Sequence, residues 1–294
     1  EQGSHLNINS HNSFLSKRGY SSVEVYGNMN INNKLSTEID IKVKSGGALT
    51  INSQKYLQLL ASAQVHVEDG GTLIIEGKST IEGSTNNSIV VNGNLQLAGK
   101  VTFKNGLLTN HWDGLQLNNP QGAYNVSGAS FQNCGLLAAC ASLTMVNSTF
   151  SNSNIYAVTG SSSSINSCNL SNSCMEFSYS SSNELPQGIT ISNCNVSDIN
   201  ANNVSAAIKI SGYPIYNLSN NTINNCNSDG IAIYNSGNGS TNYNVTDNIV
   251  TNCHSTTNNV GGIRVYNSHA AISNQNKINN NKNGIISLNN SNVV

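Results

Sequence analysis

The chain has 294 residues, of which 37% are hydrophobic and 9% charged, with a net charge of −1. Disordered chains combine low hydrophobicity with high charge, and nucleic-acid binders need clustered Lys and Arg; this composition excludes both. No apolar run approaches the ~18 residues of a membrane span, so direct membrane insertion is not expected.

Residues 1–37 read as an N-terminal lead-in or cap, and no basic segment followed by an apolar one opens the chain, so a signal peptide is expected to be absent or already removed. Beyond them, "VKSGGALTI" at 43–51 and "VEDGGTLII" at 67–75 match at a spacing of 24, and "VVNGNLQL" at 90–97 follows the same outline. Each reads as strand, tight Gly turn, strand. Between the first two, "QKYLQLLASA" at 54–63 is the one stretch with helical character. "FKNGLLTNHWDGLQL" then bridges to a second repeat group, with Trp112 expected to pack at the junction.

That second group is anchored on Phe131, Phe150, Leu170, Val196, Ile223, Val250 and Ile278, separated by 19, 20, 26, 27, 27 and 28 residues. Two residues after each anchor stand Asn133, Asn152, Asn172, Asp198, Asn225, Asn252 and Asn280. Asn tolerates the left-handed conformation, and its amide both donates and accepts. Stacked at the ~4.8 Å strand spacing, such residues predict an asparagine ladder at one corner of every coil. After each corner comes an alternating strand: "MEF" at 175–177, "IKI" at 208–210, "IAI" at 231–233 and "IRV" at 263–265, with "IYA" at 155–157 in the same column. The fold is therefore expected to be all-β, a parallel solenoid over residues 38–294 with coils of about 19–28 residues. The last residues, "SLNNSNVV", read as stopping inside a further repeat, so the solenoid is expected to continue beyond them.

The recurring N-x-I-x-N-C…G-I-x-I phrase resembles the right-handed parallel β-helix repeats of the pectate-lyase-like superfamily. The V-x-x-G-G-x-L-x-I phrases followed by "WDGLQL" at 112–117 resemble secreted surface proteins of Bacteroidota, and that resemblance implies export by type IX secretion. It implies a secreted or cell-surface location, with secretion or outer-membrane machinery as partners. Enzymes of the superfamily act from an exterior sheet face, with carboxylates binding calcium or sugar and a basic residue abstracting a proton.

The corresponding solvent-facing column here is Tyr156, Glu176, Lys209, Ala232 and Arg264, with Glu176 and Lys209 one rung apart. Tyr234 and Tyr266 follow their strands at identical positions and should lie on adjacent rungs. The candidate binding residues are therefore Glu176, Lys209, Tyr234, Arg264 and Tyr266. An exposed ion pair worth at most ~1 kcal/mol and a stabilising aromatic stack are the plainer readings of the same residues. No catalytic residue is assigned: no D-x-x-D phrase occurs, and Asp198, Asp229 and Asp247 each read as turn or loop positions. No His-x-His, His-x₃-His or C-x-x-C spacing is present, so no metal and no cofactor are expected. Cys168 and Cys194 precede their anchors by two, and Cys226 and Cys253 follow theirs by three; both columns admit either disulfides or packed thiols. The pattern points to an extracellular or cell-surface solenoid with a structural, adhesive or binding role, its partners being glycans or other surface proteins. The alternative is a polysaccharide-active β-helix enzyme, lyase or glycoside hydrolase, or a carbohydrate-binding module.

Overall fold

A computed structural model describes residues 4–16, 22–106, 112–179, 188–200, 204–236, 243–254, 260–289 and 291–294; part of the bridging phrase, including His111, lies outside them. Among the described residues every regular element is a β-strand, and neighbouring strands pair in parallel. The chain divides into two compact units, Glu1–Cys140 and Ala141–Val294.

In the first unit each coil contributes a short strand to each of three sheets. One sheet stacks His5–Ile8, Asn28–Ile31, Ala48–Ile51, Thr72–Ile75 and Asn94–Leu97 in register, so parallel pairing already begins within residues 4–37. Side chains alternate inward and outward, as a period of two requires. Met29, Leu49 and Leu73 form one buried rib of this sheet, and Ile31, Ile51 and Ile75 form the next. In a second sheet Leu35, Leu57, Ile81, Phe103 and Phe131 repeat the pattern. The Phe103 and Phe131 rings stack there with centroids 4.9 Å apart and planes 9° from parallel. Each side chain buried this way contributes ~1.5–3 kcal/mol, and the gain recurs on every rung.

The Gly-Gly turns are required by geometry. Gly46 and Gly70 sit at φ 78° and 77°, and a Cβ on Gly47 would lie 2.0 Å from the Val25 carbonyl oxygen. The stretch with helical character instead forms the strand Tyr56–Leu59, with Leu57 and Leu59 buried. Left-handed bends at Gln54 (φ 63°) and Ala61 (φ 53°) flank it. Pairing on both sides outweighs the modest helix preference of Leu and Gln. Trp112 is fully buried, donates from Nε1 to the Asn87 carbonyl at 2.8 Å, and lies where a Cβ on Gly83 would clash.

In the second unit each coil has three strands. Phe150, Leu170, Val196, Ile223, Val250 and Ile278 stack in the first. The second holds "IYA", "MEF", "IKI", "IAI" and "IRV" in register. The third comprises Ser163–Asn166, Gly188–Ser192, Ile215–Ser219, Tyr243–Thr246 and His269–Ile272.

Every Asn or Asp assigned to the ladder has positive φ, from 47° at Asn172 to 60° at Asp198. Asn172 Nδ2 donates to Asn152 Oδ1, and Asn225 Nδ2 to Asp198 Oδ1, both at 2.8 Å. Asn252 departs from the stack and donates to Asn224 Oδ1. The left-handed corner is also not confined to one edge. Asn235, Asn267 and Asn289 mark a second, and Asn147, Ser167, Asn193, Asn220 and Asp247 a third.

Behind the third corner runs a column of buried Cys168, Cys194, Asn221 and Asn248, ending at the half-buried Asn276. Asn221 Nδ2 donates to Asn248 Oδ1, and Asn248 Nδ2 to Asn276 Oδ1, both at 3.0 Å. The sequence signal for this column is a small polar residue or Cys directly after each left-handed position of the third corner, whereas the spacing of the apolar anchors points only to the exposed ladder.

Candidate functional site

The second strand of each coil in the second unit presents the predicted face. Its register aligns Tyr156 with Glu176, Glu176 with Lys209, Lys209 with Ala232 and Ala232 with Arg264. Inward-facing Met175, Ile208, Ile231 and Ile263 on one rib, and Phe177, Ile210, Ile233 and Val265 on the next, are all fully buried. Burial of these ribs forces the intervening residues to the outside, because a one-residue slip would expose them all.

Lys209 Nζ lies 2.6 Å from Glu176 Oε1, with the side chains 24% and 33% exposed. Exposed to that degree, the pair is worth about 0–1 kcal/mol. The same ammonium sits 5.6 Å from the Tyr234 ring centroid. Tyr234 and Tyr266 are in register, with centroids 5.5 Å apart and planes inclined by 38°. Burial pushes the Tyr234 phenol above its ordinary pKa. All five predicted binding residues therefore share one strip of surface.

Two details differ from the sequence reading. Ala232 is fully buried, a methyl in register between the long side chains of Lys209 and Arg264. Asp229 is no loop residue: it opens the strand Asp229–Tyr234 and is 3% exposed. Its carboxylate accepts from Arg264 Nε at 2.5 Å, from Arg264 Nη2 at 3.3 Å and from the Gly261 amide at 2.7 Å. The guanidinium fork is thus gripped from beneath. Only three-dimensional register shows this, since Asp229 and Arg264 are 35 residues apart. The other two acids are placed elsewhere: Asp198 on the first-corner ladder and Asp247 at the third corner.

The seven cysteines are all buried thiols. Cys226 and Cys253 are in register on neighbouring rungs. Contact with the Cys226 thiol, followed by burial, raises Cys253 well above the usual thiol range. Cys253 points inward and His254 is exposed, so the two do not form a nucleophile pair.

A further cluster, in the first unit, was not anticipated. Gln58 Nε2 donates to Glu82 Oε1 at 2.8 Å, Lys104 Nζ lies 2.9 Å from Glu82 Oε2, and the Tyr56 hydroxyl also bonds to Glu82. Lys34 and Lys104 stand 5.2 and 5.5 Å from the Tyr56 ring centroid. Burial, then the bond to Glu82, pushes the Tyr56 phenol up to about 12. For Glu82 burial acts upward, but bonds from Tyr56, Lys104 and Gln58 outweigh it and hold the carboxyl below its ordinary value. The spacing of 24 between the Gly-Gly phrases, carried over to the polar positions, places Gln58 beside Glu82. Among the described residues, no three His, Cys, Asp or Glu side chains gather where they could hold a metal ion.

Compared with known proteins, the family model described as "Right handed beta helix region" matches residues 127–294. No curated protein and no solved structure matches the chain.

Proposed function

We propose, from the premise that this chain belongs to the right handed beta helix family, that it is a non-catalytic solenoid acting outside the cell or at its surface by structure, adhesion or binding. The observation that carries the reading is the Asp229–Arg264 grip. The most buried acid of the face is held by three donors, and the strongest base beside it is held by that acid. A general acid or base must be free to exchange its proton with a substrate; this pair is arranged to hold still. Glu176 and Lys209 likewise neutralise each other. What stays presented is the Tyr234–Tyr266 pair, rings with apolar faces and polar tips suited to glycan or protein contact. Export by a type IX route is part of the proposal and rests on the Gly-Gly coils and the Trp112 segment.

The test is an assay for new reducing ends and unsaturated uronates on a panel of neutral and acidic polysaccharides. No turnover is expected. Cleavage that disappears in Asp229→Asn or Lys209→Ala would make the chain an enzyme, the reading favoured by a buried acid, Asp229, lying against Arg264 on the face that also carries the Glu176–Lys209 pair. For binding at this face, Tyr234→Ala with Tyr266→Ala is the cleaner variant, because Arg264→Ala would strand the buried Asp229. Labelling of intact cells with an antibody to the chain tests the surface location.

A further inference from the structure

The third strand of each coil in the second unit carries a different surface. Its outward positions run Thr144, Ser164, Thr190, Asn217 and Asn244 in register. All five line one groove of about 940 Å³. Unlike the Glu176–Arg264 strip, the groove has no Asp, Glu, Lys or Arg among the described residues of its lining. It offers hydroxyls and amides, one rung after another at ~4.8 Å, with Tyr243 at its side.

Tyr243 is braced. Its ring lies 6.2 Å from that of Tyr216 and 6.0 Å from that of His269, tilted by 31° and 45°. Tyr216 is itself buried and donates its hydroxyl to the His269 carbonyl at 2.5 Å. A half-exposed aromatic ring held by its neighbours loses little conformational freedom when a ligand settles on it.

Asn217 supplies the decisive detail. Its Oδ1 is shielded from solvent yet has no donor among the described residues. A shielded acceptor without a partner costs free energy, so the Asn217 amide gains by turning toward a donor in the groove that its residue lines. The strands Gly188–Ser192 and Ile215–Ser219 are paired on both edges, so no backbone is open for an added peptide strand. Recognition here must go through side chains. Among the described lining residues an anion would find no Lys or Arg, and an apolar ligand would strip water from hydroxyls and amides without replacing it.

We propose that this groove binds an uncharged, hydroxyl-rich chain, a neutral oligosaccharide laid along the rungs, whose hydroxyls exchange hydrogen bonds with Thr190, Asn217 and Asn244 while a sugar ring covers Tyr243. Sugar hydroxyls donate and accept, as Asn amides and Thr hydroxyls do, so one neutral ladder matches another. The assignment rests on the binding reading given above and provides it with a site and a ligand class.

The test is calorimetric titration of the chain with cellohexaose, xylohexaose and mannohexaose, and with hexagalacturonate as the charged comparator. At least one neutral hexasaccharide is expected to bind, with hexagalacturonate weaker by about tenfold or more. Asn217→Ala with Asn244→Ala should weaken that binding by about tenfold or more, and Thr190→Val, which keeps the shape and removes the hydroxyl, should also weaken it. Asn225→Gly, on the exposed ladder of another sheet, should leave it unchanged, and circular dichroism of each variant confirms the fold. The proposal is overturned if no neutral hexasaccharide binds, if the uronate is preferred, or if the Tyr234–Tyr266 variant loses binding while the groove variants keep it. New reducing ends in the same samples would refute the non-catalytic reading alone, leaving the groove to be judged by its own variants.

Discussion

Replacing Asn248 by Ala removes the centre of the buried ladder. Asn248 Oδ1 accepts from the Asn221 backbone N–H and from Asn221 Nδ2, both at 3.0 Å. Its Nδ2 donates to the Leu218 carbonyl at 2.8 Å, to the Thr246 carbonyl at 3.0 Å and to Asn276 Oδ1. Asn221 and Asn248 are fully buried, so water does not replace what is lost. The Asn221 N–H is left without its acceptor, and the Leu218 carbonyl loses a donor. Each stranded buried group costs ~1–3 kcal/mol, giving ~3–5 kcal/mol for the substitution. The control is Asn225→Gly, which removes the exposed bond to Asp198 while glycine keeps the φ of 58° without strain. An exposed bond is worth ~1 kcal/mol or less. Urea unfolding followed by circular dichroism measures both. With a slope of ~3 kcal/mol per molar, Asn248→Ala should lower the midpoint by more than ~1 M and Asn225→Gly by less than half of that. Equal midpoints would refute the argument that the inner ladder, rather than the exposed one, carries the stability.

Asp229→Ala should destabilise by ~3–5 kcal/mol, because it leaves the part-buried Arg264 guanidinium without its carboxylate. The double change Asp229→Ala with Arg264→Met should recover much of that loss in the same unfolding assay, and no recovery would show that the pair is not the cause. Burial pushes the Cys174 thiol up to about 11 and Cys140 up to about 12, and all seven thiols are buried, so a thiol reagent at neutral pH should label none in the native chain and all seven after unfolding. Prompt native labelling of Cys226 or Cys253 would contradict the packed stack. Tyr124 donates to the Val91 and Gly93 carbonyls, and its phenol is pushed by burial, and secondarily by Cys140 and Asp69, to about 12. A raised folded-state pKa contributes stability that is complete below the unfolded value of about 10 and is lost as pH rises through about 12. Tyr124→Phe should flatten the decline of unfolding midpoint across that window, and an unchanged decline would exclude Tyr124 as a source.

The division between sequence and tertiary structure follows from the distance over which each interaction acts. Alternation in "IKI" and "IRV" and the Asn at each corner are local, because a two-residue period and a left-handed φ depend on neighbouring atoms alone. They sufficed for the parallel coil, for the column Glu176–Lys209–Arg264 and for the Tyr234–Tyr266 pair. The helical character of 54–63 was a weak local preference, and pairing on both sides overrode it. Asp229 joined the site only when coils of unequal length brought it beneath Arg264, because loop length, not spacing, sets which turn residue meets which rung. The same holds for the Cys–Asn column and for the groove along Thr190, Asn217 and Asn244. Their residues look like ordinary polar filler one by one, and stacking makes them either an interior ladder or a surface, according to which side of the strand they occupy.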